Sequence, residues 1–180
     1  KSVSPWLQAM TDFAIRTLRI HADHPEAYEL IVVEAESQHC DPNLNLIKAV
    51  NLHADLRVDK YLRFAPGIGG VKEVNRGLDI AEGEFVLVAG TDVIAPPGWD
   101  TELLRIFELM PDCGAASLSA FEPNATVGPA QPVDLLVEGM FSPFMMFRRG
   151  WKFDEDYRRV YQDSDLILRM RRAGLHPYRS

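Results

Sequence analysis

Cysteine is scarce in this chain. Cys40 and Cys113 are its two thiols, too few for a disulfide framework and without the paired spacing of a zinc site, so both read as ordinary reduced residues. Long apolar runs are missing as well. Nothing approaches the ~20 consecutive apolar residues of a spanning helix, and the opening KSVSPWLQAM lacks the charged-then-apolar order of a secretory leader. The chain therefore reads as soluble and cytoplasmic, with any membrane contact made through regions outside these residues. Positive charge is short too: 19 Lys and Arg against 26 Asp and Glu leave a formal net charge of -7, which argues against a nucleic-acid partner. His24, His53 and His176 show no metal-ligand spacing. What is present, 47% hydrophobic positions over 180 residues, suffices for one compact domain with a real core.

The apolar positions alternate between two periods. Ser4 as N-cap and Pro5 at the first helical position open a helix with Leu7, Met10, Ala14 and Leu18 on one face. YELIVVE (28–34) is a short branched run, the pattern of a strand covered on both faces. Helix is expected over 42–54, strand over 61–65, and a second helix in VKEVNRGLDIA after the breaker cluster PGIGG. FVLVAG (85–90) is the strongest strand, and PPGW (96–99) starts the helix that stops near Pro111. This alternation predicts βαβ units and a mostly parallel sheet flanked by helices. Further on, GAASLSA and FMMFRR (144–149) read as strands, 121–132 as a polar surface loop able to move over a ligand, and DSDLILRMRRAG as a helix capped by Gly174. Met140, Met145 and Met146 read as core.

In open parallel sheets, ligands bind beyond the carboxyl ends of the strands, where helix N-termini and loop amides converge. The residues at those positions are Glu34, Glu36 and Ser37 after the first strand, Thr91 and Asp92 after the third, and Asp163 and Asp165 at the start of the last helix. Taken singly, each acid also fits a helix-start or turn residue. Taken together, three acidic sites at strand ends exceed what a solvated face requires.

The runs YELIVVEAES, GIGGVKEVNRGLDIAEGEFVLVAGTDVIAPPGW and FMMFRRGWKFDEDYRRVYQDSDLILRMRRAG, in that order, resemble the inverting glycosyltransferases of family 2, which have the GT-A fold. The resemblance covers about residues 5–176. It implies transfer of a sugar from a nucleoside-diphosphate sugar to a hydroxyl acceptor on a glycan, lipid or protein. Glu34 then contacts the base or ribose, and Gly69 and Asn75 belong to a segment beside the nucleotide, together with Thr91 and Asp92. Asp92 is the surviving acid of an Asp-x-Asp metal motif, Gly90 standing at the other position. One carboxylate suffices for Mn²⁺ or Mg²⁺ when phosphates and waters complete the octahedron. Asp163, in Gln162-Asp163-Ser164-Asp165, takes the general-base role. Trp99 and Asp165 fall in the acceptor region, with packing of helix on sheet as the other role for Trp99 and helix-start capping for Asp165.

Relatives of this kind carry a further central strand ahead of the first helix, and the chain opens on the helix itself. Loss of a central strand leaves two rows of unpaired backbone groups. The expectation is a single glycosyltransferase-like domain over 1–180 that lacks the usual first strand, belongs to a longer polypeptide and is completed by another segment or chain. Two alternatives stand beside the transferase. A nucleotidyltransferase calls for two acids around a metal and a basic glycine-rich loop, neither of which is seen. A non-catalytic module that binds nucleotide or sugar is compatible with Gly90.

Overall fold

The computed structural model describes residues 5–35, 57–64, 70–118, 131–132, 144–157 and 161–179. The expected helix over 42–54, Gly69, Glu36, Ser37, Cys40, Met140 and most of the loop at 121–132 lie outside them. Helix α1 (Pro5–Ile20) leads to β1 (Ile31–Ala35) and β2 (Lys60–Phe64), then to α2 (Gly70–Ile80) and β3 (Phe85–Ala89). Helix α3 (Trp99–Leu109), β4 (Cys113–Ser117), β5 (Gln131–Pro132) and β6 (Phe144–Arg148) follow, and α4 (Gln162–Arg172) and β7 (His176–Arg179) close the described chain.

Strands β1 and β2 form a parallel pair, with Ile31 opposite Lys60 and Glu34 opposite Arg63. The other five form a second sheet in the order β3-β6-β4-β7-β5. This sheet is mixed: β6 runs antiparallel to both β3 and β4, β4 and β7 are parallel, and β5 runs antiparallel to β7. An apolar run carries no information on strand direction, which is why the sequence alone leads to a more uniformly parallel sheet than the one formed. Gln131 and Pro132, expected in a loop, pair with Arg179 and Tyr178.

Side chains on β3 and β6 alternate between two cores, as a period of two requires. Phe144 and Met146, with Phe85, Leu87 and Ala89, pack under α3 against Leu103, Ile106 and Phe107. Met145 and Phe147, with Val86 and Val88, pack against Val71 and Leu78 of α2 and Leu166, Ile167 and Met170 of α4. Close packing on this side is visible at Gly114, where an added Cβ would lie 2.9 Å from the Leu175 Cβ and 3.3 Å from Met170. Gly114→Ala is expected to lower stability by ~1–3 kcal/mol, measured as a fall in the denaturation midpoint. An unchanged midpoint would mean that α4 is free to shift outward.

The two sheets do not join among the described residues, where β1 and β2 are the edges of one and β3 and β5 of the other. Helices span the division. Leu18 of α1 packs into the cores of both sheets, and α2 rests on β1, a Cβ at Gly77 falling 2.9 Å from Val33 Cγ2. The consequence shows in β3, where all five apolar residues are only half-buried while Phe144 to Phe147 of β6 are fully buried.

Candidate functional site

Chain direction decides which end of the sheet each acid occupies. Helix α2 carries the chain from the carboxyl end of β2 to the amino end of β3, so its first turn lies at the carboxyl ends. Asp92 follows two residues after Gly90, at the same end of β3. Helix α4 descends to the amino end of β7, where the His176 amide bonds to the Asp112 carbonyl at 2.8 Å beside the start of β4. Its N-terminus, with Asp163, therefore points to the carboxyl ends of β3 and β4. Glu34 is next to last in β1, at the carboxyl end of its own strand.

Glu34 accepts a hydrogen bond from the Tyr61 hydroxyl on the neighbouring strand. Tyr61 was not flagged by the sequence, because a tyrosine in a strand reads as packing, and it does pack beside Ile15 and Val32. Thr91 and Asp92 are exposed in the turn after β3, and Val93 and Ala95 then bury the chain again. Asp163 is only 2% exposed in the first turn of α4, where the positive end of the helix dipole favours a carboxylate. Asp165 is engaged by Arg169 one turn on, at 2.8 Å, and Arg169 also donates to the Lys152 carbonyl at 2.7 Å. Capping of the α4 backbone is absent at Tyr161, whose side chain makes no such bond. Gly174 does serve as the expected stop, at φ 80°, its amide bonding to the Arg171 carbonyl at 3.0 Å.

Asn75 lies midway along α2. It is 3% exposed, and its amide donates to the Phe153 carbonyl at 2.9 Å and to Glu155 at 3.2 Å, while its oxygen accepts the Phe153 N–H at 3.0 Å. The side chain thus clasps the segment that climbs along α2 towards α4. Lys152 bonds to Asp79 lower on the same helix.

Trp99 belongs to the core. Its ring packs edge-on against Tyr28 and Phe144, with centroids 5.4 and 5.9 Å away, and its indole N–H donates to the Leu18 carbonyl at 3.0 Å. The packing role is the one observed. The whole segment after β3 is tied to the end of α1 in this way: Thr17 accepts the Ala95 N–H at 3.1 Å, the Gly98 N–H bonds to the His21 carbonyl at 2.6 Å, and Asp100 accepts the amides of Asp23 and His24, each at 2.8 Å. These polar anchors were missed because Thr17 and Asp100 sit in helices where their side chains look solvated. Their partners lie more than seventy positions away in sequence.

Glu73, in the first turn of α2, is a further buried acid that no sequence argument raised. It is 9% exposed, and burial raises its carboxyl above the ordinary value of 4.5. A carboxyl raised by folding binds its proton more tightly in the native state. Its penalty is therefore absent below the ordinary value and grows as pH rises through the raised one. Glu73→Gln is expected to raise the thermal midpoint at pH 7, with the gap closing towards pH 4. A gap of constant size across that range would contradict burial as the cause. Cys113 is buried and its thiol is pushed up to about 12, chiefly by desolvation, so it is not a nucleophile.

Among the described residues no three His, Cys, Asp or Glu side chains gather as a metal site, and no helix is long and apolar enough to cross a membrane. Asp92 stands as a single exposed carboxylate, a donor of the right kind for a hard cation whose other ligands come from phosphate and water.

No protein-family model and no curated protein matches the sequence. Solved structures do match. S. aureus TarS (residues 1–349) aligns over 97% of this chain at 16% identity with a TM-score of 0.68, and its complex with UDP gives 0.67. The mannosyltransferase PcManGT from Pyrobaculum calidifontis, in complex with GDP-Man and Mn²⁺, aligns over 94% at 17% identity with a TM-score of 0.66. This chain spans 57% of the TarS chain and 50% of the mannosyltransferase chain. At such identities the likeness is one of fold, and the chain has a glycosyltransferase-like, GT-A-type α/β architecture.

Proposed function

We propose that this domain transfers a sugar from a nucleoside-diphosphate sugar to a hydroxyl acceptor with inversion at the anomeric carbon, as an inverting family 2 enzyme of hexosyltransferase type. What supports the reading is that Glu34 near the end of β1, Asp92 in the turn after β3 and Asp163 in the first turn of α4 each fall at the kind of position where ligands of open α/β sheets bind. It is supported by neighbours of the same fold that hold UDP, or GDP-Man with Mn²⁺.

Each acid then has one task. Glu34, steadied by Tyr61, accepts hydrogen bonds from donors on the base or ribose. Asp92 holds the divalent cation, Mn²⁺ or Mg²⁺, and Thr91 lies beside the diphosphate. When bound, the cation neutralises charge on the leaving diphosphate. Asp163 removes the proton of the acceptor hydroxyl as that oxygen attacks from the face opposite the diphosphate, and inversion follows from the opposed positions of the two oxygens. Gly69 is proposed for the loop beside the nucleotide, and Asp165, paired with Arg169, for the wall of the acceptor region.

The division between the two sheets among the described residues, with β3 half-buried along its length, supports a further proposal. A single domain built on these residues is completed by one more strand from a longer polypeptide, which sits between the two sheets and works in the cytoplasm or beside a membrane held by other regions. A second reading has its own observation. Asp92 is the lone acid of its turn, and among the described residues no metal-holding cluster of His, Cys, Asp or Glu stands beside it, which favours a module that binds nucleotide or sugar without turnover. Incubation of the full-length protein with UDP- and GDP-sugars and Mn²⁺ separates the two, since the transferase releases nucleoside diphosphate and the module binds nucleotide saturably without releasing any.

A further inference from the structure

Tyr161 is the one non-glycine residue at positive φ among the described residues, at φ 67° and ψ 0°. A left-handed conformation costs a side-chain-bearing residue ~1–2 kcal/mol, and the helix start where it occurs is better served by Ser, Thr, Asp or Asn. Tyr161 returns none of the usual compensations. Its side chain makes no capping bond to the α4 backbone, and the residue is 68% exposed. The backbone needs only its carbonyl, which accepts the Asp165 N–H at 2.8 Å, and Gly or Asn would supply that carbonyl with less strain. An exposed aromatic kept at a strained position next to a candidate site points to a role for the ring itself.

Position narrows that role. Tyr161 lies two residues before Asp163, at the end of α4 that faces the carboxyl ends of β3 and β4. Below it, α4 is tied through Arg169 to the Lys152 carbonyl, and Phe153 is tied to Asn75 of α2. A flat aromatic face carries negative charge density, which suits the polarised C–H face of a pyranose, and its phenol adds one donor and one acceptor.

We propose that Tyr161 is a stacking platform for the sugar that presents its hydroxyl to Asp163, and so a determinant of acceptor specificity. This rests on the transferase reading, with the general base as its reference point. The strain is then the consequence of aiming the ring outward beside the base.

The test uses the full chain with Tyr161→Gly and Tyr161→Phe. The probes are the methyl glycosides of glucose, mannose and N-acetylglucosamine, followed by saturation-transfer NMR, with UDP and GDP binding measured in parallel. The expected result is that Tyr161→Gly weakens glycoside binding about tenfold, the upper scale of aromatic stacking. Tyr161→Phe should retain most of it, nucleotide affinity should hold in both, and the thermal midpoint of Tyr161→Gly should fall no lower than the parent's. Glycoside binding untouched by Tyr161→Gly, or no glycoside binding by the parent, overturns the platform. A loss confined to UDP or GDP binding also overturns it, since the ring would then serve a nucleobase. Failure of the parent to bind either nucleotide is a separate result, and it removes the transferase reading.

Discussion

Asp163→Asn is expected to lower sugar transfer by ~10²- to 10⁴-fold, the range that a positioned general base contributes, while UDP or GDP affinity stays within about twofold of the parent. The exchange keeps size and shape and replaces a carboxylate by an amide that is no base at neutral pH. Because Asp163 is buried in the first turn of α4, the loss of its charge also removes a favourable dipole interaction of ~0.3–1 kcal/mol. A small fall in the thermal midpoint is therefore part of the expectation, and a rate loss of the stated size is far outside it. Product formation and nucleotide binding on the same preparation decide the matter. Transfer within tenfold of the parent would move the base elsewhere.

The next largest effect is on stability. Asn75→Ala strips the N–H and C=O of Phe153 of their partners at once, and Phe153 is itself buried against Phe147. A buried backbone group left unsatisfied costs ~1–3 kcal/mol, so the pair should cost roughly 2–6 kcal/mol, or at least about 4 °C in thermal midpoint for a chain of this size. Amide exchange should accelerate at 152–155 ahead of the rest of the fold. The nucleotide role suggested by resemblance predicts the reverse pattern, near-normal stability with weakened UDP or GDP binding. The two outcomes do not overlap, because one reads the clasp on Phe153 and the other reads a ligand contact.

Much of the fold was legible because the apolar periods are clean. Pro5 opening α1, the branched run of β1, the two-sided FVLVA of β3 and Gly174 ending α4 each carry a local signal, and each element lies within a few residues of its expected place. Strand direction was not legible, since FMMFR has the same composition whether it runs with β3 or against it. Strand β7 was missed for a related reason. HPYR holds a proline and only four residues, and it becomes a strand through its pairing with β4, a partner more than sixty positions earlier.

The acids of the site were legible one at a time, from their places after apolar runs. What could not be read was how their neighbours are occupied. Tyr61 on Glu34, Arg169 on Asp165 and the clasp at Asn75 depend on which side chains the fold brings together. Trp99 shows the same limit from the other side: its packing and its indole bond to Leu18 require α1 and α3 to meet, and nothing near PPGW in sequence announces that.

The measurement that bears most directly on the account is a hydrogen-exchange footprint of the full-length protein with and without a UDP- or GDP-sugar and Mn²⁺. One ligand site built from the carboxyl ends of β1 and β3 and the start of α4 predicts simultaneous slowing at 31–35, 90–93 and 161–165. Slowing limited to one of these segments, or none in any of them, would contradict it.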